Sequence, residues 1–355
     1  MSNYALAIKN INMKKIYLAL LLLASAIFAD AQPSLQWARN IGGSRGDEIK
    51  TDAAGNVYTV GYFSGVADFD PGPGTFYLTA DGGGADDAYV SKLDVNGNFV
   101  WAARLGGDAT NYNFSVEIDA AGNVYSVGYF SGTVDFDPGP GVVNLTTNGQ
   151  SDISISKLDA AGNFIWGKRI GGTLGEFAYA MLIDQAGNLC ITGVFNGIVD
   201  FDPGPLVFNL DGNGNNECYI LKLDADGNFI WAKEIDGFYA QGDDIAKDAS
   251  GNLYVCGVYA QTVDLDPGAG VYNVTSSSGS ADAFVIKLDA TGNFIWGRSF
   301  GGPGSQTCES VKADAAGNIY LTGFFFFLVY FNPGAGAFAM TVPGNSDAFV
   351  SLLEA

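Results

Sequence analysis

The sequence predicts an all-β chain built from five copies of one four-stranded unit, and three observations carry that prediction. Five tryptophans, Trp37, Trp101, Trp166, Trp231 and Trp296, recur at intervals of 64, 65, 65 and 65 residues. A turn signature, D-x-x-G-N, occurs nine times, from Asp52, Asp94, Asp119, Asp159, Asp184, Asp224, Asp248, Asp289 and Asp314. The segment VDFDPGPG from Val134 has close copies beginning at Ala67, Val199 and Val263, and a degraded one, VYFNPG, at Val329. A fixed period of this length means one supersecondary unit stacked repeatedly. Four-stranded units set around an axis bury one another's faces and leave no long edges, so the expected architecture is a five-bladed β-propeller.

The chain opens on a different kind of segment. Lys14 and Lys15, the 13-residue apolar run Ile16 to Phe28, and Ala29-Asp30-Ala31 before Gln32 read as a secretory signal peptide over 1–31. The remaining 32–355 are expected to form a single propeller domain, exported to the extracellular space or the cell surface. The apolar run is too short to cross a bilayer, and no later uncharged run approaches the length of about 20 residues that spanning needs, so no membrane insertion is expected. Without the leader the chain has 14 basic and 37 acidic residues, a net charge of −23. That disfavours nucleic acid and anionic lipid surfaces, whose phosphates must be neutralised by Lys and Arg. The expected species is an acidic monomer.

The second unit shows each element. Ser115–Ile118 reads as a first strand, and Asp119 to Asn123 turns. Val124–Phe130 alternates β-branched and aromatic residues with small ones, as a second strand does. The third ends at Ser156-Lys157-Leu158; after a second turn from Asp159, Phe164–Ile170 is the fourth strand, carrying Trp166. VDFDPGPG lies between the second and third strands, with a small extra strand expected at Val142–Thr146. In each D-x-x-G-N turn the Asp side chain accepts from backbone two residues on, and Gly takes the φ > 0 position. A tenth turn would follow the last third strand, DAFVSLLEA, which ends at Ala355. Leu35–Ile41 reads as a fourth strand with no third before it. The two ends together complete one unit, so the ring is expected to close by pairing N- and C-terminal strands.

Units of the form D-x-x-G-N-[VIL]-Y-x-x-G (Asp119 to Gly128) followed by D-A-[FY]-V-x-K-L-D-x-x-G-N (Asp282 to Asn293) resemble the SBBP-type β-propeller repeat family of secreted bacterial proteins. The resemblance covers essentially 34–353. It implies a β-propeller and no single activity.

Histidine is absent, which excludes Ser-His-Asp and Cys-His centres and His-ligated zinc or haem. The best candidate site is a repeated carboxylate pair: Asp68 with Asp70, Asp135 with Asp137, Asp200 with Asp202, and Asp264 with Asp266. Each pair stands at i and i+2, one face of an extended segment. Close carboxylates repel, and calcium, which takes about 6–8 oxygens, is the cation expected to neutralise them. The competing reading makes them turn residues, the second Asp starting a turn before Pro. Lys92, Lys157, Lys222 and Lys287, each two residues before an Asp, read as structural ion pairs or a solvated face. The tryptophans and the pairs Tyr62/Phe63 and Tyr129/Phe130 read as packing between blades, with a sugar-stacking platform as the sharper alternative. Cys190, Cys218, Cys256 and Cys308 fall at different positions of the repeat and lack metal-ligand spacing, so buried thiols are expected, with one disulfide as the alternative. Phe324–Phe327 reads as blade core with local degeneration.

The functional expectation is a non-catalytic propeller for extracellular binding or scaffolding, calcium-supported if the Asp pairs are ligands, with a protein or a glycan as partner. One alternative is a lectin-like propeller. The other is a glycoside hydrolase using central carboxylates, for which Lys50, Glu117, Leu182, Ala246 and Lys312 are the equivalent funnel-lining places. Glu117 is the unique acid there, and Asp47, Asp243 and Glu309 lie near strand entrances.

Overall fold

The computed structural model describes residues 34–81, 84–331, 338–342 and 344–354. The leader expected over 1–31 lies outside them. The chain divides into two compact units, Met1–Ala38 and Arg39–Ala355. Of the first, only 34–38 are described, and they carry no regular structure.

The second unit is all-β: among the described residues it has no α-helix, only a 3₁₀ turn at Ser277–Gly279. Repeat 1 comprises Gly42–Thr51, Val57–Asp68, Asp87–Leu93 and Phe99–Gly107; repeat 2, Asn111–Ile118, Val124–Phe130, Asp152–Leu158 and Phe164–Ile170. Repeat 3 comprises Phe177–Ile183, Leu189–Asp200, Asn209–Leu223 and Phe229–Ile235; repeat 4, Gly237–Lys247, Leu253–Asp264, Ala281–Leu288 and Phe294–Phe300. In each, the strands pair antiparallel in sequence order. Repeat 5 has three strands: Gln306–Ala313, Ile319–Phe325 and Asp347–Leu353.

The strand expected over Leu35–Ile41 is not formed. Residues 34–41 carry no strand, and among the described residues Asp347–Leu353 pairs with Ile319–Phe325 alone. The physical difference from the other fourth strands is the missing turn. Those follow their third strands through D-x-x-G-N, which sets the register locally, whereas this segment has no such hairpin to place it.

All nine turns have the expected mechanics. In the one from Asp119, Oδ1 accepts from Ala121 N at 2.9 Å and Asn123 N at 2.9 Å, and Oδ2 from Asn123 Nδ2 at 2.7 Å. The turn glycines, including Gly122 at φ 83°, all have positive φ.

The core lies between successive repeats rather than within one. Tyr125 and Ile155 of repeat 2 pack with Ile191 and Leu221 of repeat 3, and Val255 and Ile286 of repeat 4 with Cys190 and Ile220 of repeat 3. All four cysteines are buried free thiols. Lys157 of repeat 2 stands over the Tyr125 ring at 4.9 Å and donates to Ala225 O of repeat 3 at 3.0 Å. Lys222 of repeat 3 likewise donates to Ala290 O of repeat 4 at 3.0 Å, and it pairs with Asp184 at 2.7 Å. Trp101 Nε1 donates to Ala160 O at 3.2 Å, and a Cβ on Gly162 would meet the indole at 2.9 Å. Lys92 of repeat 1 donates to Ala160 O of repeat 2 at 3.4 Å, so the lysines of repeats 1 to 3 each reach a turn of the following repeat, as Trp101 does.

VDFDPGPG builds a two-stranded hairpin, Thr133–Asp135 against Asn144–Thr146, shorter by two residues than the extra strand expected at Val142–Thr146. The hairpin also clasps the preceding repeat: Asp135 pairs with Gly106 and Val134 with Gly107. Gly107 must be glycine, since a Cβ there would meet Thr133 O at 1.9 Å. In the degenerate fifth copy Phe325 is buried, while Phe327 is exposed at φ 62°.

Candidate functional site

The first strands of all five repeats contribute to one cavity of about 210 Å³, whose lining includes Lys50, Glu117, Leu182, Ala246 and Lys312. These are the five places that the period of the repeat makes equivalent. Glu117 is not a free acid: Lys50 Nζ lies 2.8 Å from it and 3.1 Å from Glu48, which itself accepts from Val116 N at 2.7 Å. Burial raises the Glu117 carboxyl and Lys50 counters it. Across the cavity Lys312 pairs with Asp244 at 3.0 Å. This level is laced with ion pairs between neighbouring first strands.

Three residues toward the strand entrances, each first strand has a bulge. The register slips at Asp47, Phe114, Tyr179, Asp243 and Glu309. A bulged residue leaves the ladder and its side chain is re-aimed. Facing each bulge is the glycine of Y-x-x-G or its equivalent: Gly61, Gly128, Gly193, Gly257 or Gly323. A Cβ on any of them would lie 1.8–2.0 Å from a carbonyl oxygen of the first strand. The ring of bulges therefore holds three acids and two aromatics.

Aromatic side chains continue from the two bulged rings. Phe114 lies 5.7 Å from Tyr129 and 5.8 Å from Tyr179, and Tyr129 lies 4.7 Å from Phe177. Tyr112 lies 5.2 Å from Tyr129 and 4.1 Å from Tyr62. All six rings are half-buried. Polar anchors fix the rim: Arg45 Nη1 to Tyr62 OH at 2.9 Å, and Tyr112 OH to Asp86 at 2.7 Å. Tyr239 OH donates to Gln241, whose Nε2 donates to Asp243 Oδ1 at 2.6 Å. Oδ2 of Asp243 and Oδ2 of Asp47 are buried without partners. Burial, countered by the Gln241 bond and reinforced by Glu309 and Asp244, pushes Asp243 up to about 7. Burial also raises Asp47 against the pull of Arg45.

The Asp pairs expected to hold calcium stand elsewhere, in the hairpin loops, and they face their own backbone. Asp135 Oδ1 accepts from Asp137 N at 3.0 Å and Val143 N at 2.8 Å, and Asp137 Oδ1 from Gly139 N at 2.8 Å. The other copies repeat these bonds. Asp68 accepts from the amides of Asp70 and Phe76, Asp200 from those of Asp202 and Phe208, and Asp264 from those of Asp266 and Tyr272. Asp70 in turn accepts from Gly72 N at 2.8 Å, Asp202 from Gly204 N at 2.7 Å, and Asp266 from Gly268 N at 2.8 Å. In each pair one oxygen of each carboxylate thus braces the loop. Among the described residues no three Asp, Glu or Cys side chains are gathered so as to hold a metal ion. One oxygen of each of Asp68, Asp70, Asp135, Asp137, Asp200, Asp202, Asp264 and Asp266 thus has the bonds that the turn reading expects, and the calcium role expected of the same carboxylates concerns the second oxygen of each.

From sequence Asp47, Asp243 and Glu309 could be placed near strand entrances, whereas the role of Phe114 and Tyr179 could not. The available signal was the recurring Y-x-x-G glycine, which marks a close backbone approach on the neighbouring strand.

No protein-family model matches the chain. It is 24% identical over 330 residues to an uncharacterized WD repeat-containing protein, L264, of Acanthamoeba polyphaga mimivirus, covering 78% of this chain and 24% of that protein. It is 25% identical over 199 residues to the regulatory protein FlaEY of Caulobacter vibrioides, covering 56% of this chain and 20% of that one. The chain thus spans about a quarter or less of the length of these curated relatives. A solved protein of unknown function from Bacteroides caccae aligns at 11% identity and a TM-score of 0.32, over 73% of this chain and 82% of its own. The described residues form successive all-β repeats, and the chain is similar over most of its length to a WD repeat-containing protein. Among the described residues no helix is long and apolar enough to cross a membrane.

Proposed function

We propose that the chain is a secreted, non-catalytic five-bladed β-propeller that binds a glycan on the aromatic arc at the entrance of its central cavity. The observation that carries the reading is the arc itself. Six half-buried rings, two of them on bulges, present apolar faces beside hydroxyls and partly unpartnered carboxylates. Sugars offer C–H faces to stack on rings and hydroxyls to donate to carboxylates. Support for five blades comes from the five first strands that share one cavity. Support for closure by 34–41 comes from the strand just after that segment, where Gly42 pairs with Asp68 as Gly106 pairs with Asp135. Arg39 Nε also donates to Gly97 O, in a turn of repeat 1, at 2.8 Å. Secretion rests on the leader, and its test is N-terminal sequencing of exported protein, which should begin at Gln32.

Binding is tested by titrating neutral oligosaccharides into the protein while following calorimetric heat. Phe114→Ala and Tyr179→Ala should each weaken binding about ten-fold or more with the cooperative melt retained, since one stacked ring contributes on the order of 1–2 kcal/mol. Binding indifferent to both substitutions would refute the placement. Binding only to a protein partner from the extracellular medium would replace glycan by protein and leave the surface in place.

A further inference from the structure

The repeats are internal controls for one another, and one corner of the third departs from its siblings in charge. In repeat 1 the third strand opens on Asp87, a carboxylate without exposed surface. Arg104 Nη1 lies 2.9 Å from it and 2.5 Å from Asp81. The register is Ala88 to Leu105 and Tyr89 to Arg104, so Gly106 faces Asp87, and a Cβ there would meet the carboxylate at 2.3 Å. Repeat 2 keeps the plan: Asp152 is buried, Arg169 Nη1 is 2.8 Å away, and Gly171 faces it. Repeat 3 keeps the register, Cys218 to Ile235 and Tyr219 to Glu234. Its side chains are all acidic: Glu217 replaces the Asp, Glu234 the Arg and Asp236 the glycine, while Asp211 stands where repeat 1 has Asp81.

Glu217 has no exposed surface, and neither of its oxygens has a hydrogen-bond partner of good geometry. Oε2 of Glu234 is buried and unpartnered as well. Burial, then the charges of Asp236 and Glu234, push Glu217 up to about 8. Burial and the charges of Asp236 and Asp211 also raise Glu234, and none of the charges acting on these two residues is basic. Like charges facing one another across a strand pair are destabilising, and a buried carboxylate must be neutralised by a proton or a cation.

We propose that Glu217, Glu234, Asp236 and Asp211 bind one divalent, oxygen-seeking cation, calcium, at the place where repeats 1 and 2 hold an arginine guanidinium and repeat 4 has the neutral Ser299. Hard carboxylate and carbonyl oxygens without nitrogen or sulfur donors suit calcium over transition metals. Glu217 is the anchor, fixed by its strand. The four side chains are not gathered round one point in the structure, which holds no ion there. Asp236 and Asp211 are both exposed and complete the site by moving in, Asp211 giving up or sharing the bond that its Oδ1 accepts from Asn213 N at 3.0 Å.

The test is calcium titration of the full chain, read by calorimetry and by melting temperature. The expected result is one ion per chain and a Tm rise of about 4 °C at 100-fold excess over Kd. Glu234→Arg, which restores the sibling guanidinium, should abolish that ion without lowering the Tm in chelator. Glu217→Gln should weaken binding about ten-fold or more. No heat and no Tm shift up to about 10 mM, above the roughly millimolar range of weak extracellular sites, would overturn the proposal. One-ion binding unchanged in both variants would overturn it too, as would a stoichiometry of four, the number of Asp pairs.

Discussion

Asp135 decides between brace and ligand. Its Oδ1 receives two backbone N–H groups from opposite sides of the loop, Asp137 at 3.0 Å and Val143 at 2.8 Å, and so closes the clasping hairpin. Asp135→Ala strands both donors. Hydrogen bonds to charged groups contribute about 1.5–3 kcal/mol each, and this carboxylate is only half-buried, so the lower end applies and the loss should be about 3 kcal/mol. With about 320 residues unfolding together at roughly 2.1 cal/mol/K per residue, that lowers the Tm by about 4–5 °C. Asp135→Asn keeps an oxygen in place of Oδ1 and should cost about 1 kcal/mol or less. The assay is a thermal melt of wild type and both variants, each in calcium and in chelator. If the carboxylates are braces, the ranking is wild type, Asn, Ala in both buffers, and the calcium increment is the same in all three proteins. Asn as damaging as Ala, together with a calcium increment lost in both, would refute the reasoning and make the pair a ligand set.

Buried carboxyls, turn glycines and the N-terminal segment give further tests. A carboxyl whose folded pKa is raised stabilises fully below its unfolded pKa, and that contribution is lost as pH rises through the folded one. Burial above all puts Glu176 and Glu217 at about 8 and Asp243 at about 7, so in chelator the Tm should fall from pH 5 to pH 8. A Tm that is flat or rising over that window would contradict this. At the acid end burial opposes ionisation of Asp184, but its bonds to Lys222 and Asn188 hold it at about 2, so its contribution is lost only below about pH 4. Gly162 and Gly187 have nearly equal φ, 85° and 86°, yet a Cβ meets Trp101 at 2.9 Å in the first and nothing within 4 Å in the second. Gly187→Ala should therefore cost about 1 kcal/mol of backbone strain, and Gly162→Ala about 2–3 kcal/mol, by urea denaturation; equal costs would exclude the indole contact as a constraint. Deleting 34–41 should lower the Tm and broaden the last part of the melt if that segment completes repeat 5; an unchanged cooperative melt would sink the closure.

Much of this was legible because local chemistry and tertiary role coincide. D-x-x-G-N encodes its own turn through one carboxylate and one positive φ, so the start of every hairpin could be read from five residues. Trp101 was readable as an inter-repeat contact, since it recurs in step with the turn it meets, whereas Lys157 read as an ion pair or a solvated face and its bond to Ala225 O of the next repeat was not legible. The bulges were not legible, because an extra residue breaks the period of two on which strand reading depends. Ser115–Ile118 was visible as a strand, whereas its upstream half, Asn111 to Phe114, was hidden behind the slip at Phe114. The Asp pairs could be read as brace or as ligand, since the i and i+2 spacing is common to both; the choice depends on where the amides of Gly72, Gly139, Gly204 and Gly268 point. The charge reversal at Glu234 was in the sequence throughout. It acquires meaning only when the register sets it against Tyr219 and next to Glu217.

The latches described above all point the same way along the chain: Lys92 to Ala160, Lys157 to Ala225, and Lys222 to Ala290. A junction of this kind is heterologous, with a donor face on one copy and an acceptor turn on the next. A tandem duplicate would meet its predecessor with the correct face already in place, needing no second, matching mutation. The repeat is thus a unit of growth as well as of structure. The number of copies is limited by the angle each adds before the last meets the first, and not by the chemistry of any junction. Leu352 takes the latch position in the last repeat in place of lysine.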